Sequence, residues 1–277
     1  MDLLSAIHRR FSVRSYQDDP VELGLRNRVL DAARRAPTLT DLPPRVELIS
    51  GADTVKDVLT FMIGSYGLVQ NAPHLLAGIL PEDSELARID LGYVLERAVL
   101  EATRLGLGTC WITGTYDAER AGDVVNLAPG ETAAAVCALG HPTEEGFGRL
   151  HTRLIRRLAG GHKRKPLTEL VYAGSWGEPW SAEDADRALV TVLKHARLAP
   201  SAHNGQPWRF VVGSNGIGLA IVKPRFIDAG IVMSHVTIGA AAADYPGAWS
   251  LSLRDPALSQ QIDLPDKAIP IGTFQTN

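Results

Sequence analysis

Two kinds of polar constellation carry the chemistry open to this chain. Arg10-Phe11-Ser12-Val13-Arg14 sets two guanidiniums and a hydroxyl within five residues. Arginine offers fork-shaped donors and serine adds a further hydrogen bond, so R-x-S-x-R suits a phosphate. Far along the chain, Lys163-Arg164-Lys165-Pro166 is a second basic cluster able to close on the same anion. Taken singly, each also reads as a solvated basic turn. The other constellation is Pro200-Ser201-Ala202-His203-Asn204-Gly205-Gln206-Pro207-Trp208. It gathers small, hydroxyl and amide groups where a planar heterocycle can be hydrogen-bonded along its edge. Pro200 and Pro207 fix the entry and exit of this loop, and Gly205 is expected to take its unusual backbone angle. The plainer reading is a rigid turn before a strand. No G-x-S-x-G surrounds a serine, so Ser201 and His203 do not read as hydrolase machinery. Gly106-Leu107-Gly108 does not continue into a dinucleotide fingerprint.

The elements that must position these residues recur along the chain. Ala36–Glu47 (APTLTDLPPRVE) is a degraded copy of Ala199–Phe210 (APSAHNGQPWRF), 163 residues earlier. Ile89-Asp90-Leu91-Gly92 likewise echoes Ile227-Asp228-Ala229-Gly230, and a tryptophan (Trp111, Trp249) follows each aspartate by 21 residues. Two landmarks in the same order argue for an internal duplication. Apolar periodicity and breakers predict helices over 23–35, 55–63, 90–105, 118–125, 182–198 and 228–243, with a further helical option at 150–158. Strands are predicted over 46–50, 75–80, 109–113, 133–139, 209–212 and 217–222. The predicted fold is α+β, two related lobes about a pseudo-two-fold axis, each a mainly antiparallel sheet flanked by helices. The lobes are expected to divide as 1–175 and 176–277. The second is shorter, having lost a helix and a strand or never gained them. The two D-x-G helices are expected to pack on each other, Gly92, Ala98 and Ala102 facing Gly230, Gly239 and Ala240–Ala243. Asp90 and Asp228 read as their N-caps.

Composition narrows the class. The 277 residues are 45% hydrophobic and 21% charged, with a net charge of −3, which is ordinary for a soluble globular protein and offers no field to draw nucleic acid or an anionic membrane. Cys110 and Cys137 have neither C-x-x-C spacing nor a histidine cluster, so no metal site is expected. The N-terminus has no positive n-region or long apolar run, and no segment approaches the roughly 20 apolar residues of a membrane span. A cytoplasmic protein is expected.

Together the motifs resemble the FMN-dependent nitroreductase superfamily. The resemblance rests on Arg10–Arg14, on Gly106–Gly114 (GLGTCWITG), on Ala135–Pro142 (AVCALGHP), on Arg164-Lys165-Pro166-Leu167 and on Ala199–Trp208. It implies that Arg10, Ser12, Arg14, Arg164 and Lys165 hold the FMN phosphate and ribityl chain. Pro200, Ser201, Asn204 and Gln206 would lie along the isoalloxazine and ribityl chain, and Ile112, Thr113 and Gly114 at the flavin N5–O4 edge. Many relatives carry an acidic residue where Thr113 stands, and their Lys/Asn flavin contacts have no counterpart around Phe61–Tyr66. In the family the P-S-x-x-N-x-Q-P-W loop comes from a partner subunit. Here the first lobe keeps the basic residues and the second keeps the loop, which resembles a tandem, dimer-mimicking branch: one composite FMN site per chain, in a monomer. The implied activity is electron transfer from NAD(P)H through FMN to a nitroaromatic, quinone or related small acceptor, with no side chain required as a catalytic group. The alternative is an FMN storage or sequestration protein; a flavin-free pseudoenzyme ranks below both.

Overall fold

The computed structural model describes residues 2–59, 69–143 and 163–276. The end of the helix expected at 55–63 and the helical option at 150–158 lie outside the described residues.

The first lobe runs α1 (Leu3–Arg9), α2 (Leu23–Arg34), β1 (Arg45–Ser50), α3 (Ala52–Val58), β2 (His74–Leu80), α4 (Glu85–Arg104), β3 (Gly108–Ile112), α5 (Ala118–Val125) and β4 (Thr132–Gly140). Then come α6 (Leu167–Leu170), β5 (Val171–Ala173), α7 (Arg187–Ala196), a 3-10 turn at Ala202–Asn204, β6 (Trp208–Gly213), β7 (Gly216–Ile221), α8 (Phe226–Ala242), β8 (Gly247–Leu251), α9 (Pro256–Gln261) and β9 (Ile269–Thr276). One sheet has the order β1-β2-β4-β3, all antiparallel. The other is β5-β6-β7-β9-β8, antiparallel except for β5 beside β6.

Leaving β5 aside, the two sheets have the same strand order, with helices in the same intervals except between the first two strands. α4 and α8 follow the second strand of each sheet, and α5 and α9 follow the third in sequence. β1 and β6 begin and end 163 residues apart. Each sheet carries one bulge, at Gly78/Ile79 and at Leu219/Ala220, in the pairing of its second strand. The second lobe is shorter because β6 and β7 form a direct hairpin, whereas α3 lies between β1 and β2; a helix is missing, but no strand is. β5, within the first lobe's expected span, extends the other lobe's sheet.

Helix α8 is apolar around its whole circumference and buried along it, as a helix at the centre of a core must be. It crosses α4 at the two echoed glycines. A Cβ on Gly92 would lie 2.1 Å from the Ile227 carbonyl oxygen, and one on Gly230 1.8 Å from that of Ile89. Only glycine lets the backbones approach so closely, and the reciprocity puts the pseudo-two-fold axis at this crossing. Gly239 does not share it, packing instead on α7 at Val192 and His195. One continuous core joins Leu76, Leu91 and Leu95 of the first lobe to Phe210, Val232 and Phe274 of the second.

The aspartates do not cap these helices. Ser84 caps α4 and accepts from the Ala87 amide, which starts the helix five residues before the predicted boundary. Arg225 occupies the N-cap of α8. Asp90 instead accepts from the Leu39 and Thr40 amides, at 2.9 and 3.1 Å, and from Thr40 Oγ1, at 2.8 Å. Asp228 accepts from the Ala202 amide, at 3.1 and 3.2 Å. Leu39 and Ala202 are themselves 163 residues apart, so each aspartate ties down its own lobe's copy of the loop.

Candidate functional site

The arginine motif is held as an extra edge on the first sheet. Helix α1 ends at Arg10, whose backbone turns extended. The Val13 amide then donates to the Thr109 carbonyl at 2.9 Å, and Ser12 bridges Thr109 in parallel. A Cβ on Gly108 would come within 2.8 to 2.9 Å of Val13, so the glycine of the GLG turn makes room for this approach. Downstream, Gln70 N donates to Arg14 O at 2.8 Å, and the buried Tyr16 hydroxyl donates to Val13 O at 2.8 Å. Arg10 Nε and Nη1 are buried and have no hydrogen-bond partner among the described residues.

The second basic cluster is clamped to the loop after α7. Arg164 Nη1 donates to Ala199 O at 2.8 Å and to Asn204 Oδ1 at 2.9 Å, and Nη2 donates to Leu198 O at 3.0 Å. Gln206 Oε1 accepts from the Lys165 amide at 2.9 Å, while its Nε2 donates to Lys163 O and Asn204 O, both at 3.1 Å. Ser201 Oγ accepts from the Gln206 amide at 2.9 Å. Gln206 is buried with both amide hydrogens committed, so it braces the loop. The backbone strain sits beside Gly205, not on it. Gly205 is right-handed (φ −68°), whereas His203, Asn204 and Gln206 have φ of 53°, 53° and 45°. Such angles in non-glycine residues cost of order 1–3 kcal/mol each and persist where surrounding contacts over-determine them, as the Asp228, Arg164 and Ser201 bonds do here.

The two basic segments face one electrostatic locus. Burial, then the neighbouring charges of Arg10 and Arg197, push Arg164 down to about 10, with Glu96 partly opposing. Arg197 also has a buried Nε with no partner among the described residues. Glu96, fully buried on α4, accepts from Trp111 Nε1 at 2.8 Å and pairs with His235 Nε2 on α8 at 2.9 Å. Arg10 and Arg14 also act on Cys110, whose thiol burial pushes up while those charges and Ser12 pull it down. Clustered guanidiniums with unpartnered buried N–H groups are costly unless an anion joins them. A phosphomonoester supplies the acceptor oxygens this donor set lacks, so the residues present fit the FMN phosphate.

Of the residues expected at the site, the structure joins Arg164, Lys165, Ser201, Asn204 and Gln206 by hydrogen bonds, and Pro200 is buried. It sets Arg10, Ser12 and Arg14 on the β3 edge, with Arg10 acting on Arg164. Ile112 is buried at the end of β3, and Thr113 and Gly114 are exposed just beyond it. Sequence reasoning missed Glu96, His235 and Arg197. The available signal was a glutamate and a histidine on helical faces otherwise wholly apolar, where a polar group needs a partner.

The paired-lobe α+β architecture is that of the nitroreductases. A crystal structure of a "putative nitroreductase" from Thermotoga maritima superposes with a TM-score of 0.58 at 21% identity, over 90% of this chain and 89% of that one. The family model described as "Putative TM nitroreductase" matches residues 2–240, and the chain belongs to that family of oxidoreductases. Among curated relatives, a NADH dehydrogenase of Thermus thermophilus is 27% identical over 190 residues, which is 53% of this chain and 90% of that protein. A "Putative NADH dehydrogenase/NAD(P)H nitroreductase" of Methanothermobacter thermautotrophicus is 34% identical over 127 residues, 43% of this chain and 64% of that protein. No helix among the described residues is long and apolar enough to cross a membrane.

Proposed function

We propose that this protein is an FMN-dependent NAD(P)H oxidoreductase with one composite flavin site per chain, built from both lobes. The observation that carries the reading is the locus of Arg10, Arg164 and Arg197, with buried donors left unpartnered among the described residues and two segments of the chain converging on it. Arg10, Ser12, Arg14 and Arg164 would hold the phosphate. Pro200, Ser201 and Asn204 would line the ring and ribityl chain on a loop that Gln206 and Asp228 brace, and Ile112, Thr113 and Gly114 would meet the N5–O4 edge. Bound FMN would supply redox chemistry between a nicotinamide reductant and a nitroaromatic, quinone or related acceptor. The chain's own part would be to bind and orient it and to place positive charge beside it. The relatives' names support a nicotinamide reductant.

The single-chain reading rests on the asymmetry of the lobes. The loop at residues 37–44 lacks the serine, asparagine and glutamine of its copy, and β5 reaches across to the second sheet without a described counterpart on β1. A monomer with one FMN follows. The test is the visible spectrum of the purified protein with added FMN, followed by NADPH or NADH without oxygen. One flavin per chain that bleaches supports the reading, and two per chain overturns the composite site. Bands that persist point to flavin storage, and no bands at all to a scaffold without flavin.

A further inference from the structure

The two neighbouring basic residues of the Lys163–Lys165 segment act at different places. Arg164 turns towards Leu198, Ala199 and the Arg10 locus. Lys165 has different charged neighbours on the same loop, Arg209, Glu169 and Lys223. Its amide is fixed on Gln206 at 2.9 Å. Arg209, the second residue of β6, donates from Nη1 to Trp208 O at 2.6 Å and Gln206 O at 3.3 Å, so its guanidinium is held on the same turn. Arg209 stands opposite Ala220 in the β6–β7 ladder, and the Val222 amide donates to Pro207 O at 2.8 Å, which brings the exposed Lys223 back beside the loop. Three cations remote in sequence thus converge on Gln206–Trp208, in a chain whose net charge is negative. Burial, with Arg209 and Lys223 beside it, lowers the Lys165 ammonium below its ordinary range, and Glu169 offsets this in part.

We propose that Lys165, Arg209 and Lys223 form a second anion site that takes the adenosine 2′-phosphate of the reductant, so that NADPH is preferred to NADH. This rests on the flavin reading, which gives the nicotinamide end its place on the inner side of the same loop. The inner locus is buried and suits a resident phosphate, whereas this one lies at the rim, where the far end of an exchanging ligand is reached. A 2′-phosphomonoester concentrates nearly two negative charges on one phosphorus, and compact ammoniums beside a fixed guanidinium match that better than a pyrophosphate, with one charge per phosphorus.

The test is calorimetric titration of the protein with adenosine 2′,5′-bisphosphate and, separately, ADP-ribose, whose pyrophosphate is esterified at both ends. Wild type should bind the bisphosphate about tenfold more tightly, and Lys223→Gln should weaken it about fivefold, the scale of one exposed ion pair, while changing ADP-ribose less than twofold. Lys223→Arg should restore the affinity, and added salt should reduce it. Equal losses for both nucleotides would assign the cluster to a pyrophosphate and overturn the proposal. So would no preference in wild type, or no loss in Lys223→Gln. Neither probe carries electrons, so bisphosphate preference in a protein that retains no FMN would sink the flavin reading while leaving this anion site standing.

Discussion

The crossing of α4 and α8 joins the lobes that share the proposed site, and Gly230→Ala tests it directly. A Cβ at residue 230 would stand 1.8 Å from Ile89 O, 2.7 Å from Tyr93 N and 2.8 Å from Ile89 C, all backbone atoms that cannot rotate away. Ordinary contact begins near 3.4 Å, so the helices must separate by more than an ångström. Overpacking of this kind costs about 1–3 kcal/mol, and more where backbone opposes backbone. Alanine recovers about 1 kcal/mol of helix propensity. We expect a net loss of about 2–4 kcal/mol in urea unfolding followed by far-ultraviolet circular dichroism, and weaker FMN binding as Glu96 is drawn from His235. Gly24→Ala in the first turn of α2 is the control, because a Cβ there meets nothing within 4 Å. It should stabilise by about 0.5–1 kcal/mol. If Gly230→Ala unfolds at or above the wild-type midpoint, the close crossing is not what holds the lobes together.

Three further outcomes follow from buried polar groups. Arg10→Met should cost about 1.5–3 kcal/mol in FMN affinity by fluorescence titration, yet leave the flavin-free protein no less stable, since it removes a buried guanidinium whose Nε and Nη1 lack partners among the described residues; undiminished affinity would take Arg10 out of the site. Glu96→Ala should destabilise by about 3–5 kcal/mol, because it leaves His235 and Trp111 without their buried acceptor and removes the negative charge that offsets the arginines around Arg164, and a loss under 1 kcal/mol would refute that role. His74 is buried, and its Nε2 accepts from the Val21 amide at 3.1 Å, so burial and Arg26 hold it neutral down to about 4. A depressed folded pKa gives stability that is complete above 6.5 and lost as pH falls towards 4, about 3 kcal/mol in all. The difference between wild type and His74→Gln should therefore shrink across that window, which separates it from Asp228. Burial raises Asp228 to about 6, so its contribution runs the other way, falling as pH rises. A constant difference between pH 7 and 4.5 would refute the neutral imidazole.

The chain by itself determined the α+β class, most strands to within a residue or two, and the two pairs of echoed motifs. Apolar periodicity, breakers and repeated short words are local properties that survive without coordinates. It also proposed the site residues, through the resemblance of the arginine motif and the amide-bearing loop to those of the nitroreductases. Local logic misled where the decisive partner is distant. Asp90 and Asp228 sit near helix starts and read as caps, but their acceptors are claimed by loop amides 26 to 51 residues away. Gly205 drew the strain because glycine tolerates it, whereas the Asp228, Arg164 and Ser201 bonds impose it on His203, Asn204 and Gln206. Adjacent Arg164 and Lys165 read as one anion clamp, yet Arg164 has Arg10 and Arg197 as charged neighbours whereas Lys165 has Arg209 and Lys223. Only the tertiary structure could decide these points, since hydrogen-bond satisfaction and charge clustering depend on which distant segments the core brings together, and that is set by the close crossing at Gly92 and Gly230.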